Sequence, residues 1–356
     1  MSLIDNLQGR LQRHPKRIVF PEGNDPRILQ AARQFATRRL GVPILLGERG
    51  DIKDRASRLD IRLDGMRIVE PERSDDFEVF LAQMSQMPRF SRLSNEQRRQ
   101  LLLDKNYYAT FMLSTFQADA LVGGATVSAS SALRPLFQII PTQEHVKTAS
   151  SLLIVDQDDS KLGINGVLFM ADCGVIPEPN AEQLADIAVT TADIGYHLTG
   201  VMPRVAMLSF ATHSSSNTVH PSILRIREAT VLARIKAKAK KLTFEIDGEI
   251  QVDAALDAVV ARQKDVCDSA VAGQANVLIF PDLNCGNIAS KLVQQIAGTR
   301  SYGQIITGLR RPCAEISRGA HAIDIFGTAI IVGCQALDRH LLGEPYGSDE
   351  PSNVPK

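Results

Sequence analysis

The chain has 356 residues, 40 of them basic and 40 acidic, so its formal net charge is zero, and it contains no tryptophan and five tyrosines. That length suits two domains of about 150 residues each. Balanced charge and scarce large aromatics argue against a basic nucleic-acid platform or a charged membrane-surface protein, so neither nucleic acid nor membrane is an expected partner.

Met1 to Asp5 has no charged region leading into an apolar run, and no secretory signal is expected. No apolar stretch reaches the roughly 18 to 20 residues of a membrane helix. In chain order, Arg17 to Phe20 is a short apolar run followed by the dense turn signal Pro21 to Pro26. Ile28, Leu29, Ala32 and Phe35 then recur at helical spacing, and Gly41 to Leu46 predicts the next strand. Strand, turn, helix, strand is the rhythm of a parallel α/β sheet. Residues 50–115 read as mostly helical, with Asn95 to Leu102 the clearest segment. Further strands are expected at 118–122, 167–171, 204–210, 275–280 and 304–309. Helices are expected over 182–198, 223–240, 252–263, 286–297 and 321–337. The Pro-, Ser- and Asp-rich end, 344–356, predicts a flexible tail. Five scattered cysteines, not spaced as metal ligands, are expected to be reduced structural thiols in a cytosolic protein.

Four segments carry candidate chemistry. Gly123 to Arg134 holds two glycines and the hydroxyls of Thr126, Ser128, Ser130 and Ser131 after a strand. A helix start there favours anions, and Arg134 adds a bidentate donor; an ordinary capped turn is the equal alternative. The loop is neither a Walker loop nor a dinucleotide fingerprint. Ser209 to Thr218, with Thr212 and Ser214, follows a second strand at the position where open α/β sheets hold ligands. A polar surface loop is the simpler account there. Phe280 to Ile288 places Asp282, Asn284 and Asn287 at another helix start, as ligands or caps. In the fourth segment, Ile316 to Asp324, a serine, an arginine and a carboxylate lie within eight residues. Arg318 suits stabilisation of negative charge, Ser317 donation to an oxyanion, and Asp324 either a dipole partner or a general base.

Taken together, these segments resemble the phosphate acetyltransferase/phosphate butyryltransferase family from about Arg17 to Ala336. The resemblance is carried by Ile18 to Gly23, Leu133-Arg134-Pro135, Ala171-Asp172-Cys173, Ala206 to Phe210, Asp247 to Ala255, Ile279 to Asn284, Gly286-Asn287-Ile288 and Ile316 to Gly319. It implies exchange of acyl-CoA and phosphate with acyl phosphate and CoA, acetyl being the default acyl group. It also implies an isocitrate/isopropylmalate dehydrogenase-like architecture, two α/β domains flanking a cleft. On that pattern domain one spans 1–149 plus 308–343 and domain two spans 150–307. A homodimer is implied, with CoA as a substrate and no metal or prosthetic group. Asp324 becomes the base for the CoA thiol, Arg318 the phosphate clamp, Ser317 the transition-state donor and Arg134 a second clamp. Some positions differ from the family pattern. Gln295 stands where another arginine is usual, with Arg300, Arg310 or Arg311 as candidate substitutes. Val127 and Ser131 stand where His and Asp are usual, and Arg89 matches an upstream arginine. These changes motivate an alternative, a non-catalytic acyl phosphate/CoA-binding homologue or an acyltransferase of altered specificity.

Overall fold

The computed structural model describes residues 2–144, 146–157, 161–214 and 220–337. The expected tail and Ser215 to Thr218 of the second candidate segment lie outside the described residues. In chain order come α1 (Leu3–Arg13), β1 (Lys16–Phe20), α2 (Pro26–Thr37), β2 (Gly41–Leu46), α3 (Arg49–Arg58), β3 (Arg67–Val69), α4 (Asp76–Gln86), α5 (Asn95–Leu103), α6 (Lys105–Ser114), β4 (Ala120–Gly123) and α7 (Ala129–Ile139). Next are β5 (Ser150–Asp156), β6 (Val167–Ala171), α8 (Ala181–Thr199), β7 (Arg204–Leu208), α9 (Pro221–Ala239), β8 (Glu245–Ile250), α10 (Val252–Leu256) and α11 (Ala258–Gln263). The described residues end with β9 (Val277–Ile279), α12 (Leu283–Ile296), β10 (Arg300–Thr307), β11 (Cys313–Glu315) and α13 (Ala322–Gln335).

The expected β1–turn–α2–β2 run is present. Asp25 caps α2 through the Arg27 N–H, and Pro26 occupies the first turn, where its missing donor costs nothing. The helix expected over 252–263 is instead two helices. Asp257 breaks it with an extended backbone (φ −116°, ψ 116°) and caps α11 by accepting from the Val259 and Val260 N–H groups. Elements α1, β3, β5, β8 and β11 are not among those the sequence predicts.

Among the described residues the strands form one sheet of eleven, in the order β3-β2-β1-β4-β11-β10-β5-β6-β9-β7-β8. The five strands from β3 to β11 are parallel, and so are the four from β6 to β8. Between the two runs, β10 and β5 pair antiparallel with each other and with their outer neighbours. The last strand and helix therefore return to the half of the sheet built by the first strands. One apolar layer includes Leu7 and Leu11 of α1, Phe35 of α2, Leu184 of α8 and Ile330 of α13. A second packs Phe80, Tyr108 and Phe111 of α4 and α6 over the first half, and a third packs Ala254, Ala255 and Ala261 of α10 and α11 over the second.

Candidate active site

The fourth candidate segment leaves β11 at Glu315, and the first leaves β4 at Gly123. These two residues are register partners in the parallel pair. The Ile316 N–H donates to the Gly123 carbonyl (2.8 Å), so the pairing continues into both loops. Gly124 has φ +104°, and a Cβ there would lie 2.8 Å from the Ile316 carbonyl oxygen and 3.1 Å from Glu315 Oε1. The loops touch at a point where only glycine fits.

Ser317 and Arg318 are exposed, and Ser317 Oγ accepts from the Gly319 N–H (3.3 Å). Asp324 is the third residue of α13, and its Oδ2 accepts from the His321 N–H (3.1 Å). The carboxylate therefore serves as a cap as well as a candidate base. Burial raises its pKa, against hydrogen bonds from backbone N–H groups and the nearby charge of Arg300. A carboxyl shifted upward is a better match to a thiol proton than an exposed aspartate.

In the first segment Ser128 caps α7. Its Oγ accepts from the Ser131 N–H (3.2 Å) and lies 2.9 Å from both Ser130 Oγ and Ser131 Oγ. Arg134, one turn further on, is exposed. The structure thus brings Ser128, Ser130, Ser131, Ser317, Arg318 and Asp324 to the helix starts after two neighbouring strands.

Thr212, Ser214 and Asn287 belong to a second group, at the ends of β7 and β9. Three strands separate β9 from β11. Ser214 donates its N–H and Oγ–H to Glu249 Oε1, both at 2.7 Å. Thr212 Oγ1 donates to Gln251 Oε1 (3.1 Å), and Asn287 Nδ2 donates to the Cys173 carbonyl (3.1 Å). Asp282 caps α12 through the Cys285 N–H (2.9 Å). Gly286 brings α12 onto the Asp172 carbonyl, where a Cβ would collide. Asp172 itself is buried and accepts from Ser151 and from the N–H groups of Gly174, Val175 and Ile176, a structural role. The two groups approach through α12: Lys291 acts electrostatically on Glu315, and Gln294 donates to Ser301 Oγ (2.7 Å).

The chain matches the family model described as phosphate acetyl/butaryl transferase over residues 2–333. It belongs to the phosphate acetyltransferase/phosphate butyryltransferase family. It is 37% identical to a phosphate acetyltransferase of Acetivibrio thermocellus, over 94% of this chain and 98% of that one. A phosphotransacetylase structure from Streptococcus pyogenes superimposes with a TM-score of 0.84 at 33% identity, covering 94% of this chain and 98% of that one. A structure described as a putative 4-hydroxythreonine-4-phosphate dehydrogenase from Salmonella typhimurium has a TM-score of 0.50 at 12% identity, covering 90% of this chain and 99% of that one, a likeness of fold alone.

Within this phosphate acetyltransferase-family fold, Gln295 is exposed on α12, one turn beyond Lys291. Arg310 donates to the Thr142 carbonyl (3.1 Å), and Arg311 lies 3.5 Å over the Phe116 ring. Arg300 is the one of the three whose charge acts on Asp324. Arg89 donates to the Phe137 carbonyl (2.9 Å). Among the described residues no group of three His, Cys, Asp or Glu side chains is placed to hold a metal ion, and no helix is long and apolar enough to cross a membrane. All five cysteines are free, with Cys173, Cys313 and Cys334 buried.

Sequence alone does not single out Glu22, Arg27 or Glu315, yet all three lie under the candidate loops. Glu22 Oε1 accepts from the Gly124 N–H (2.9 Å), while its buried Oε2 has no hydrogen-bond partner among the described residues. Burial raises the pKa of Glu22 and lifts that of Glu315 to about 7. A local signal existed only for Arg27, two residues beyond a helix cap that can pair with it.

Proposed function

We propose that this transferase exchanges acetyl-CoA and phosphate with acetyl phosphate and CoA in the cytoplasm, through attack of the CoA thiolate on the acyl phosphate carbonyl in a ternary complex. A free thiol has a pKa of roughly 8.5, so a nearby base matters at neutral pH. Asp324 takes that proton, Arg318 holds the phosphate, and Ser317 donates to the tetrahedral oxyanion. The α7 start, with Ser128, Ser130 and Ser131, and the Arg134 side chain complete the phosphate site. Thr212, Ser214 and Asn287 line the opposite wall, where CoA lies. The site occupies the cleft between domain one (1–149 plus 308–343) and domain two (150–307), a division that runs between β11 and β10. The working unit is a homodimer. An exposed apolar row on α12, Ile288, Leu292 and Ile296, supports it.

The observation that carries this reading is the convergence of the Ser317–Arg318 loop and the α7 start on adjacent parallel strands, with Asp324 raised by burial on the next helix. The family match favours turnover over the non-catalytic alternative. Acetyl-, propionyl- and butyryl-CoA, each given phosphate, test it by the acyl phosphate formed. Acetyl-CoA is expected to turn over fastest. Asp324→Asn is expected to lower kcat by about 10²- to 10⁴-fold with little change in CoA binding. Binding of all three without acyl phosphate overturns the reading.

A further inference from the structure

Arg27 stands at the centre of the site loops without facing substrate. Its Nε–H donates to Asp25 Oδ1 (3.1 Å), and its Nη2 donates to Asp25 Oδ2 (2.9 Å) and the Ala125 carbonyl (2.8 Å). Its Nη1 donates to the carbonyls of Arg318 (2.6 Å) and Ala320 (3.1 Å). A guanidinium has five N–H donors, and here all five have partners. None remains for a phosphate. One edge of the fork is fixed by a carboxylate that also caps α2, and the other spans two loops. One loop leads from β4 into α7, and the other carries Ser317 and Arg318. The acceptors lie 98, 291 and 293 residues away in sequence.

We propose that Arg27 is a positioning residue that locks the two anion-holding loops into a single site and so acts on the reaction through Ser317 and Arg318. The inference rests on the site reading above. Anchoring the Arg318 carbonyl fixes the origin of the Arg318 side chain. Anchoring Ala320 fixes the far end of the Ser317–Gly319 turn. Anchoring Ala125 holds the α7 start at a set distance from both. Lysine offers three donors from a single point and cannot span these acceptors as a planar fork does.

The test compares wild type with Arg27→Lys, Asp25→Asn, Ser317→Ala, Arg318→Ala and the doubles of Arg27→Lys and Asp25→Asn with Ser317→Ala. It reads kcat, both KM values and Tm. A small displacement of catalytic groups costs about a hundredfold, and Arg27→Lys is expected to lower kcat by about that much. KM for phosphate is expected to rise more than KM for acetyl-CoA. Ser317→Ala should cost about threefold or less in the Arg27→Lys background, because an already displaced serine has little left to lose. Asn caps helices about as well as Asp, so Asp25→Asn keeps α2 and carries the same test should the lysine variant fail to fold. Wild-type kcat in the folded Arg27 or Asp25 variant, or losses that multiply in full with Ser317→Ala, overturn the clamp and leave the site standing. If Ser317→Ala and Arg318→Ala both keep wild-type turnover, the site reading fails and the clamp falls with it.

Discussion

Glu315 ends β11 two residues before Ser317, buried beneath Gly124 and close to the Glu22 carboxylate. Desolvation is the main cause of its upward shift to about 7. Glu22 pushes the same way, and Lys291 and Arg318 oppose. An unfolded glutamate titrates near 4.3, so the folded state binds this proton more tightly. The sign follows from linkage: the stabilisation is complete below the unfolded value and is lost as pH rises through about 7. Glu315→Gln replaces the carboxyl with a permanently neutral group of the same shape. Its expected effect is a flatter profile of Tm between about pH 5 and pH 8, with a gain at the alkaline end. Glu22, also raised by burial, leaves a smaller slope of the same sign. Thermal melts across that range check it, and an unchanged slope removes Glu315 as its source. Asp324 contributes in the same direction.

The loop between β4 and α7 is held from below by Glu22, from the side by Arg27, and against Ile316 by Gly124. Gly124→Ala puts a Cβ into that contact at a positive φ, a strain of about 1 to 3 kcal/mol. The expected result is a lower Tm and a raised KM for phosphate, with KM for acetyl-CoA moving less. Equal shifts in both KM values would argue against the loop as an anion site. The sequence made β1, α2, β2, β6 and α8 legible because each is a continuous apolar pattern between turn residues. The strand β8, Glu245–Ile250, hides because three of its six residues are acidic. Two of these charges are met from α9 or a neighbouring loop: Arg227 pairs with Glu249 (2.7 Å), and Arg234 and His213 approach Asp247 (3.4 and 3.2 Å). Arg227 and Ser214 draw the Glu249 carboxyl down to about 2 despite burial. The strands β3 and β11 are three residues each, too short for any periodicity to show. Of the proposed site, Ser317, Arg318 and Asp324 were legible as a candidate group because they are neighbours in sequence. Glu22 stayed hidden because its partner Gly124 is 102 residues away, and the Arg27 contacts span up to 293.

The eleven-stranded sheet buries helices on both sides, yet α12 keeps an apolar face bare, as α9 does at Leu224, Val231 and Ile235. On α12, Ile288, Leu292 and Ile296 are 59%, 52% and 79% exposed. At spacings of four residues they form a single row along the helix. Isolated exposed apolar residues need no explanation, but an aligned row is a common mark of association. The row starts one residue past Asn287 and runs alongside Lys291, so a partner seated on it would brace the helix whose Lys291 acts on Glu315. Leu292→Glu separates association from folding, because an exposed substitution shifts stability by only about 0.5 kcal/mol. Light scattering is expected to give wild type the mass of two 38.9 kDa chains and Leu292→Glu the mass of one, with Tm of the two close in dilute solution. A dimeric variant would move the contact to another surface, and a monomeric wild type would remove the homodimer. Because Ser317, Arg318, Asp324 and the α7 start all come from one chain, the monomeric variant is expected to retain turnover. Loss of activity on dilution would show instead that α12 needs its partner to hold the cleft.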